Sequence, residues 1–275
     1  MNRFWSILFF LVPILGVGIC LMSAFGIYPL EHTWLPADIS ESGKDIDFAF
    51  NLVMWIIGIV FVGTGLILAM SMWSYPFNAD RKATYSHGNT KLEIIWSVIP
   101  GVVLIGIFIF QAVYWERQKI NQPVVTLADG TTALQQPIVK VVARKFGWRF
   151  WYAGLDGELG TSDDFVLENE LHLPMDEPLV VQLESEDVLH SFFLRNLRIK
   201  QDLIPGKKQF AWFTIVSEKI EQDKVYDILC AELCGWGHAR MNGRLYPKTK
   251  SDFQEFLKLN DLKQNGFAMN EAEEK

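Results

Sequence analysis

Thiols and imidazoles are scarce in this 275-residue chain, with three cysteines and five histidines. No Cys-x-x-Cys-His run occurs, which excludes a covalently attached haem c. There is no glycine-rich phosphate loop and no internal repeat. Basic residues are in the minority, 25 Lys and Arg against 32 Asp and Glu, so no nucleic-acid partner is expected. Charge is also missing locally. The stretches 4–30, 50–73 and 94–115 hold no charged residue at all.

Each stretch reaches the roughly 20 residues a helix needs to cross a bilayer. A soluble core helix of that length would show a polar face, so the second and third read as a transmembrane hairpin. The first has two readings. Arg3 followed by an apolar run resembles a signal peptide, with a weak cleavage site at Ala24-Phe-Gly26. Its length favours a retained helix. Cys20 follows Val17-Gly-Ile, a poor context for a lipid anchor.

Basic loops stay in the cytoplasm. Arg81, Lys82 and Lys91 lie between the second and third runs. The segment after the first holds Glu31, Asp38, Glu41, Asp45 and Asp47 against Lys44 alone. The chain is therefore expected to start inside, exit, re-enter, and exit again after Trp115. A multi-pass chain in contact with lipid follows, with 116–275 on the periplasmic side.

That outer part reads as β. Segments 137–151, 178–183, 209–216 and 225–229 are rich in strand formers. Turn signals stand at Asp156-Gly, Pro205-Gly206 and Asn242-Gly. Such short strands suggest a sandwich or barrel. Segment 251–259 looks like a capped amphipathic helix, and the polar tail from Asn265 is expected to fray. The expected parts are an N-terminal apolar segment 1–30, a periplasmic linker 31–49, a hairpin 50–115, a β domain 116–262 and a tail 263–275.

The scarce thiols are concentrated. Cys230-Ala-Glu-Leu-Cys234-Gly-Trp-Gly-His238-Ala-Arg-Met241 holds two thiols, an imidazole and a thioether in twelve residues. Soft donors of these types favour copper. A second imidazole, His190, lies upstream in Asp187-Val-Leu-His190. Two Cys, two His and one Met exceed what one copper needs and suit two coppers sharing both thiolates. A plain disulfide is the competing reading for two extracytoplasmic cysteines. His32, His87 and His172 lack a ligand pattern and read as loop or surface residues.

On these motifs, over about residues 50–257, the chain resembles subunit II of the haem–copper cytochrome c oxidases. The stretch 87–100, from His87-Gly-Asn-Thr-Lys-Leu-Glu93 to Trp96-Ser-Val-Ile-Pro100, is similar to the start of that family's second hairpin helix. Segments 185–192 and 200–206 resemble its first copper strand and loop, and 230–241 its second copper loop. The resemblance implies a membrane-anchored, cupredoxin-like Greek-key barrel carrying the binuclear CuA centre. Cys230 and Cys234 would bridge two coppers, and His190 and His238 would each cap one. Met241 and the Glu232 carbonyl would be weak axial donors. The Glu232 side chain would reach a magnesium ion at subunit I. Asp187 and Asp202 match acidic positions near the site, and Glu93 matches the mouth of a proton-uptake channel.

The implied function is electron transfer from a c-type cytochrome to haem in subunit I, where oxygen is reduced to water and protons are pumped. Subunits I and III would be partners. One departure stands out. Phe146 in Arg144-Lys-Phe146-Gly-Trp148-Arg-Phe-Trp151 takes the place of the family's docking tryptophan, which leaves Phe146, Trp148 and Trp151 as candidates for electron input. Segment 154–163 resembles a bacterial branch found with alternative donor complexes (alternative complex III), so a cytochrome-bearing complex is a second possible donor. From residue 116 on there are 25 acidic and 20 basic residues, a mild acidic excess that would steer a basic cytochrome. The alternatives are a membrane-tethered copper chaperone and a quinol-oxidase-type subunit II.

Overall fold

The structure is a computed structural model. It describes residues 2–31, 33–82, 84–127 and 129–273, with backbone alone for residue 2 and for 262–273. His32 lies outside the described residues. The chain forms two compact units, one of residues 1–36 and 46–113, the other of 37–45 and 114–275.

The first unit holds three helices long and apolar enough to cross a membrane. They are α1 (Asn2–Ala24), α2 (Gly43–Ser74) and α3 (Thr90–Trp115). Apolar side chains cover them on all sides and most stay exposed, as suits segments solvated by lipid. α1 lies against α2. Ser6 Oγ donates to the Ala69 carbonyl at 2.7 Å. A Cβ on Gly65 would lie 2.5 Å from Pro13 Cγ, so only glycine allows this approach.

The second unit is β. After a π-helical turn at Glu116–Ile120 come a small hairpin, β1 (Val124–Thr126) and β2 (Thr132–Leu134), then β3 (Val139–Arg144) and β4 (Gly147–Tyr152). β5 (Phe165–Glu168), β6 (Glu170–Pro174), β7 (Pro178–Ser185) and β8 (His190–Leu194) follow. β9 (Ile199–Leu203), β10 (Gln209–Thr214), β11 (Tyr226–Cys230) and β12 (Asn242–Lys248) complete the strands. Sheet one has the order β10-β7-β3-β4-β5 and sheet two the order β6-β12-β11-β8-β9. The expected barrel is thus flattened into two facing sheets. The chain passes repeatedly between them, which is why β3 runs parallel to β7 and β6 to β12.

Alternation makes the core. Along β4 every second residue, Trp148, Phe150 and Tyr152, is buried, while Arg149 and Trp151 point outward. Leu171, Phe192, Ile228 and Leu245 meet them from sheet two. Truncating a buried aromatic of this kind costs about 3–5 kcal/mol.

Four expectations need correction. Asn242-Gly243 is not a turn but the start of β12. A Cβ on Gly243 would come within 3.3 Å of Ile228, Trp148 and the Asn169 carbonyl, so the glycine serves close backbone approach. The linker is not free. Its residues 37–45 join the β unit, with Ile39 fully buried and Ser40 bridged to Ile215. There Asp38 pairs with Lys219 at 2.6 Å. Burial pushes its carboxyl up, but hydrogen bonds from Lys219 and Ser40 outweigh that and hold it below the usual range. The helix expected over 251–259 runs on as α4 (Lys250–Glu273), with no proline in the stretch to end it. His172 is not a surface residue. It sits on β6, its ring stacked between Tyr246 and Phe256 at centroid distances of 4.6 and 4.4 Å.

Candidate metal centre

Neighbouring strands of sheet two bring the donors to one end. His190 opens β8, Cys230 closes β11 beside it, and Met241 directly precedes β12. The loop between Cys230 and Met241 carries Cys234, and His238 starts a short 3-10 turn. His190, Cys234 and Met241 are buried, while Cys230 and His238 are half-buried.

The donor atoms converge. Cys230 Sγ lies 3.8 Å from His190 Nδ1 and 4.0 Å from Cys234 Sγ. Cys234 Sγ lies 3.7 Å from His238 Nδ1 and 3.8 Å from Met241 Sδ. The Glu232 carbonyl oxygen is 3.2 Å from Cys230 Sγ. A first-row metal with bonds of about 2.0 Å to nitrogen and about 2.3 Å to sulfur separates such atoms by roughly 3.5–3.8 Å. The imidazole–thiol distances match that span. The two sulfurs stand far beyond the ~2.05 Å of a disulfide, and both cysteines are free. The donor set fits a copper pair.

Asp187 holds His190 in place. One carboxylate oxygen accepts from His190 Nε2 at 2.8 Å and from the Val188 N–H, and the other accepts from the Lys145 N–H at 2.8 Å. The proton is thereby kept on Nε2 and Nδ1 is left free toward the thiol. Burial opposes charge on His190, but hydrogen bonds with Cys230 and Asp187 outweigh it and raise its pKa. The thiols differ. Burial pushes both up, yet for Cys230 the contact with His190 wins, so Cys230 ionises first. The adjacent charge at Cys230 raises Cys234 further.

The turn between β3 and β4, Lys145-Phe146, supports the other half of the site as well. The Phe146 ring lies over Gly237, where a Cβ would come within 2.5 Å of it, and over Gly235, which takes φ +135°. One glycine supplies space and the other a conformation that L side chains rarely adopt.

The remaining candidates lie elsewhere. Trp148 is 1% exposed and belongs to the core, so it offers no surface to a partner. Trp151 points out of β4 under the Lys140 ammonium, 5.1 Å from its ring. Glu93 sits in the first turn of α3, in the helical unit. Asp202 is on β9, paired with Ser191. The exposed His87 packs edge-on against Tyr85. Sequence reasoning passed over Trp236, which is 87% exposed between Cys234 and His238. Its one signal was a large aromatic flanked by two glycines, Gly235 and Gly237.

Two family models match. Residues 32–112 match the transmembrane domain of cytochrome c oxidase subunit II, and residues 155–244 its periplasmic domain. The alternative cytochrome c oxidase subunit 2 of Bradyrhizobium diazoefficiens is 31% identical over 263 residues, covering 87% of this chain and 89% of that protein. Cytochrome c oxidase subunit 2 of Synechocystis is 25% identical, over 90% of this chain and 81% of its own. Among solved structures, the periplasmic domain of subunit II of the Bradyrhizobium japonicum cytochrome oxidase is similar at 22% identity and a TM-score of 0.39, over 46% of this chain and 93% of that one. The chain belongs to the cytochrome c oxidase subunit II family and is a subunit of an oxidase.

Proposed function

We propose that this subunit carries a binuclear CuA centre that takes electrons from a c-type cytochrome, or from a cytochrome-bearing donor complex, and passes them to haem in subunit I. Oxygen reduction takes place outside this chain and is coupled to proton pumping. Cys230, Cys234, His190 and His238 would hold the metals, with Met241 and the Glu232 carbonyl as weaker donors. When bound, the copper pair supplies reversible one-electron chemistry. The chain's part is to keep the donors still, which suits an electron carrier that must reorganise little. Strand ends hold His190 and Cys230, and Asp187 keeps the imidazole oriented.

The β unit lies on the periplasmic face of a bacterial inner membrane, where the acidic linker and basic 81–91 loop would place it. Glu232 would also reach a magnesium ion against subunit I, and Glu93 would stand at a proton-uptake channel. Subunit III completes the expected assembly. A chaperone of thioredoxin type needs alternating β and α elements, whereas this unit is two five-stranded sheets and a small hairpin, with one long helix at its end. A quinol-oxidase subunit lacks donors that are all present here.

The observation that carries this reading is the convergence of five soft donors within contact distance. The test is electron paramagnetic resonance of the copper-loaded full chain with its copper stoichiometry. Two coppers per chain sharing one unpaired electron are expected. A single-ion spectrum, or no bound copper, would sink the assignment.

A further inference from the structure

Building on that copper reading, we propose that Trp236 is the residue through which electrons reach this chain, its indole docking against the haem edge of a c-type cytochrome. Trp236 is 87% exposed and lies two residues from both Cys234 and His238. With Leu233, 76% exposed in the same loop, it forms an apolar surface that nothing among the described residues covers. Its ring meets Phe146 edge-to-face, with centroids 5.3 Å apart and planes at 66°. Phe146 in turn packs on the loop backbone at Gly235 and Gly237 and against the core cluster that contains Cys234. An aromatic pair therefore spans from the exposed indole to the loop backbone and the cluster that holds Cys234.

The two other tryptophan candidates lack such a path. Trp148 is buried. Trp151 sits on the outer face of β4, about 13 Å along the strand from the turn at roughly 3.3 Å per residue, beneath Lys140. Aromatic anchors, tryptophan above all, dominate binding energy at protein interfaces. A haem edge is a flat apolar surface that an indole complements. In the transfer, one electron leaves the cytochrome iron, which goes from Fe(II) to Fe(III), and the copper pair gains it. No proton moves and no covalent bond changes.

The test uses the whole purified oxidase with Trp236→Ala and Trp236→Phe. Each is mixed with a reduced soluble mono-haem cytochrome c, and separately with ascorbate and tetramethyl-p-phenylenediamine, which need no docking. Copper content and the copper resonance are read on the same samples. Trp236→Ala should lower the second-order rate with the cytochrome by about tenfold or more, the loss of a single interface hot spot. Trp236→Phe should recover most of it. The small reductant should be far less affected, and the copper resonance should keep its shape. An unchanged cytochrome rate in Trp236→Ala overturns the proposal, and so does an equal fall with both reductants. Loss of subunit I on purification of the variant would reassign Trp236 to the subunit interface. A wild type that lacks the two-copper signal refutes the copper reading itself, whereas a wild type that has it, with an indifferent Trp236→Ala, refutes this inference alone.

Discussion

The two halves of the donor set are held in different ways. His190 and Cys230 sit at the ends of paired strands, and His190 is fully buried with Asp187 bonded to its far nitrogen. Cys234 and His238 belong to a loop whose shape depends on two glycines beneath the Phe146 ring. One half is fixed by hydrogen bonds, the other by fit. Yet a single turn serves both, because Lys145 donates its N–H to Asp187 while Phe146 covers the loop. Sheet one thereby braces a site built on sheet two.

The comparison breaks most sharply at Gly237. A side chain there collides with three carbons of the Phe146 ring, the nearest at 2.5 Å. Overpacking of this kind costs about 1–3 kcal/mol, occasionally more. Gly237→Val should weaken copper retention by about a hundredfold, read by competition with a copper chelator. Adding Phe146→Ala should restore much of the loss, because the collision is with that ring. If the double variant is as poor as the single one, the loop is not shaped by this contact.

Asp187→Asn tests the strand-held half. The amide keeps the shape and can still contact Nε2, but the negative charge that stabilises the imidazole is gone. Losing an outer partner of this kind typically costs 10–100-fold in metal affinity. The change should fall on the imidazole coupling of His190 and spare that of His238, as electron–nuclear double resonance can resolve. Equal changes at both histidines would mean that the halves are not independent.

The donors could be read from the sequence because their chemistry is rare and their spacing local: Cys230, Cys234, His238 and Met241 fall within one loop. The apolar helices were equally plain, since 20 uncharged residues leave few alternatives. What escaped was long-range. Nothing in Lys145-Phe146 shows that this turn reaches a loop 90 residues later. Ile39 fell within the expected linker, and only the fold shows it buried in the same core cluster as Ile215. Asn242-Gly243 carries the letters of a turn, but the glycine answers to Trp148 beneath it. His172 had no motif because its partners, Tyr246 and Phe256, come from another strand and from α4.

His172 also yields the smallest expected effect, one that separates the stability of sheet two from the geometry of the donors. It lies on β6, at the sheet edge away from His190. Burial, helped by the nearby Lys248 charge, pushes its pKa down to about 4. Glu170, 4.0 Å from Nε2, does not offset this. In the unfolded chain the ring takes up a proton near its ordinary value of about 6.5. Between these values the unfolded state binds more protons, so stability rises with pH. The contribution is complete above about 6.5 and is lost as pH falls through about 4. His172→Phe keeps the stack on Tyr246 and Phe256 but cannot titrate. Its melting temperature should fall less than the wild type's between pH 7 and pH 4.5, by about 2–5 °C. Its copper resonance at pH 7 should match the wild type, since no donor sits on β6. A variant whose acid profile follows the wild type would show that the buried imidazole does not set the acid sensitivity of this sheet.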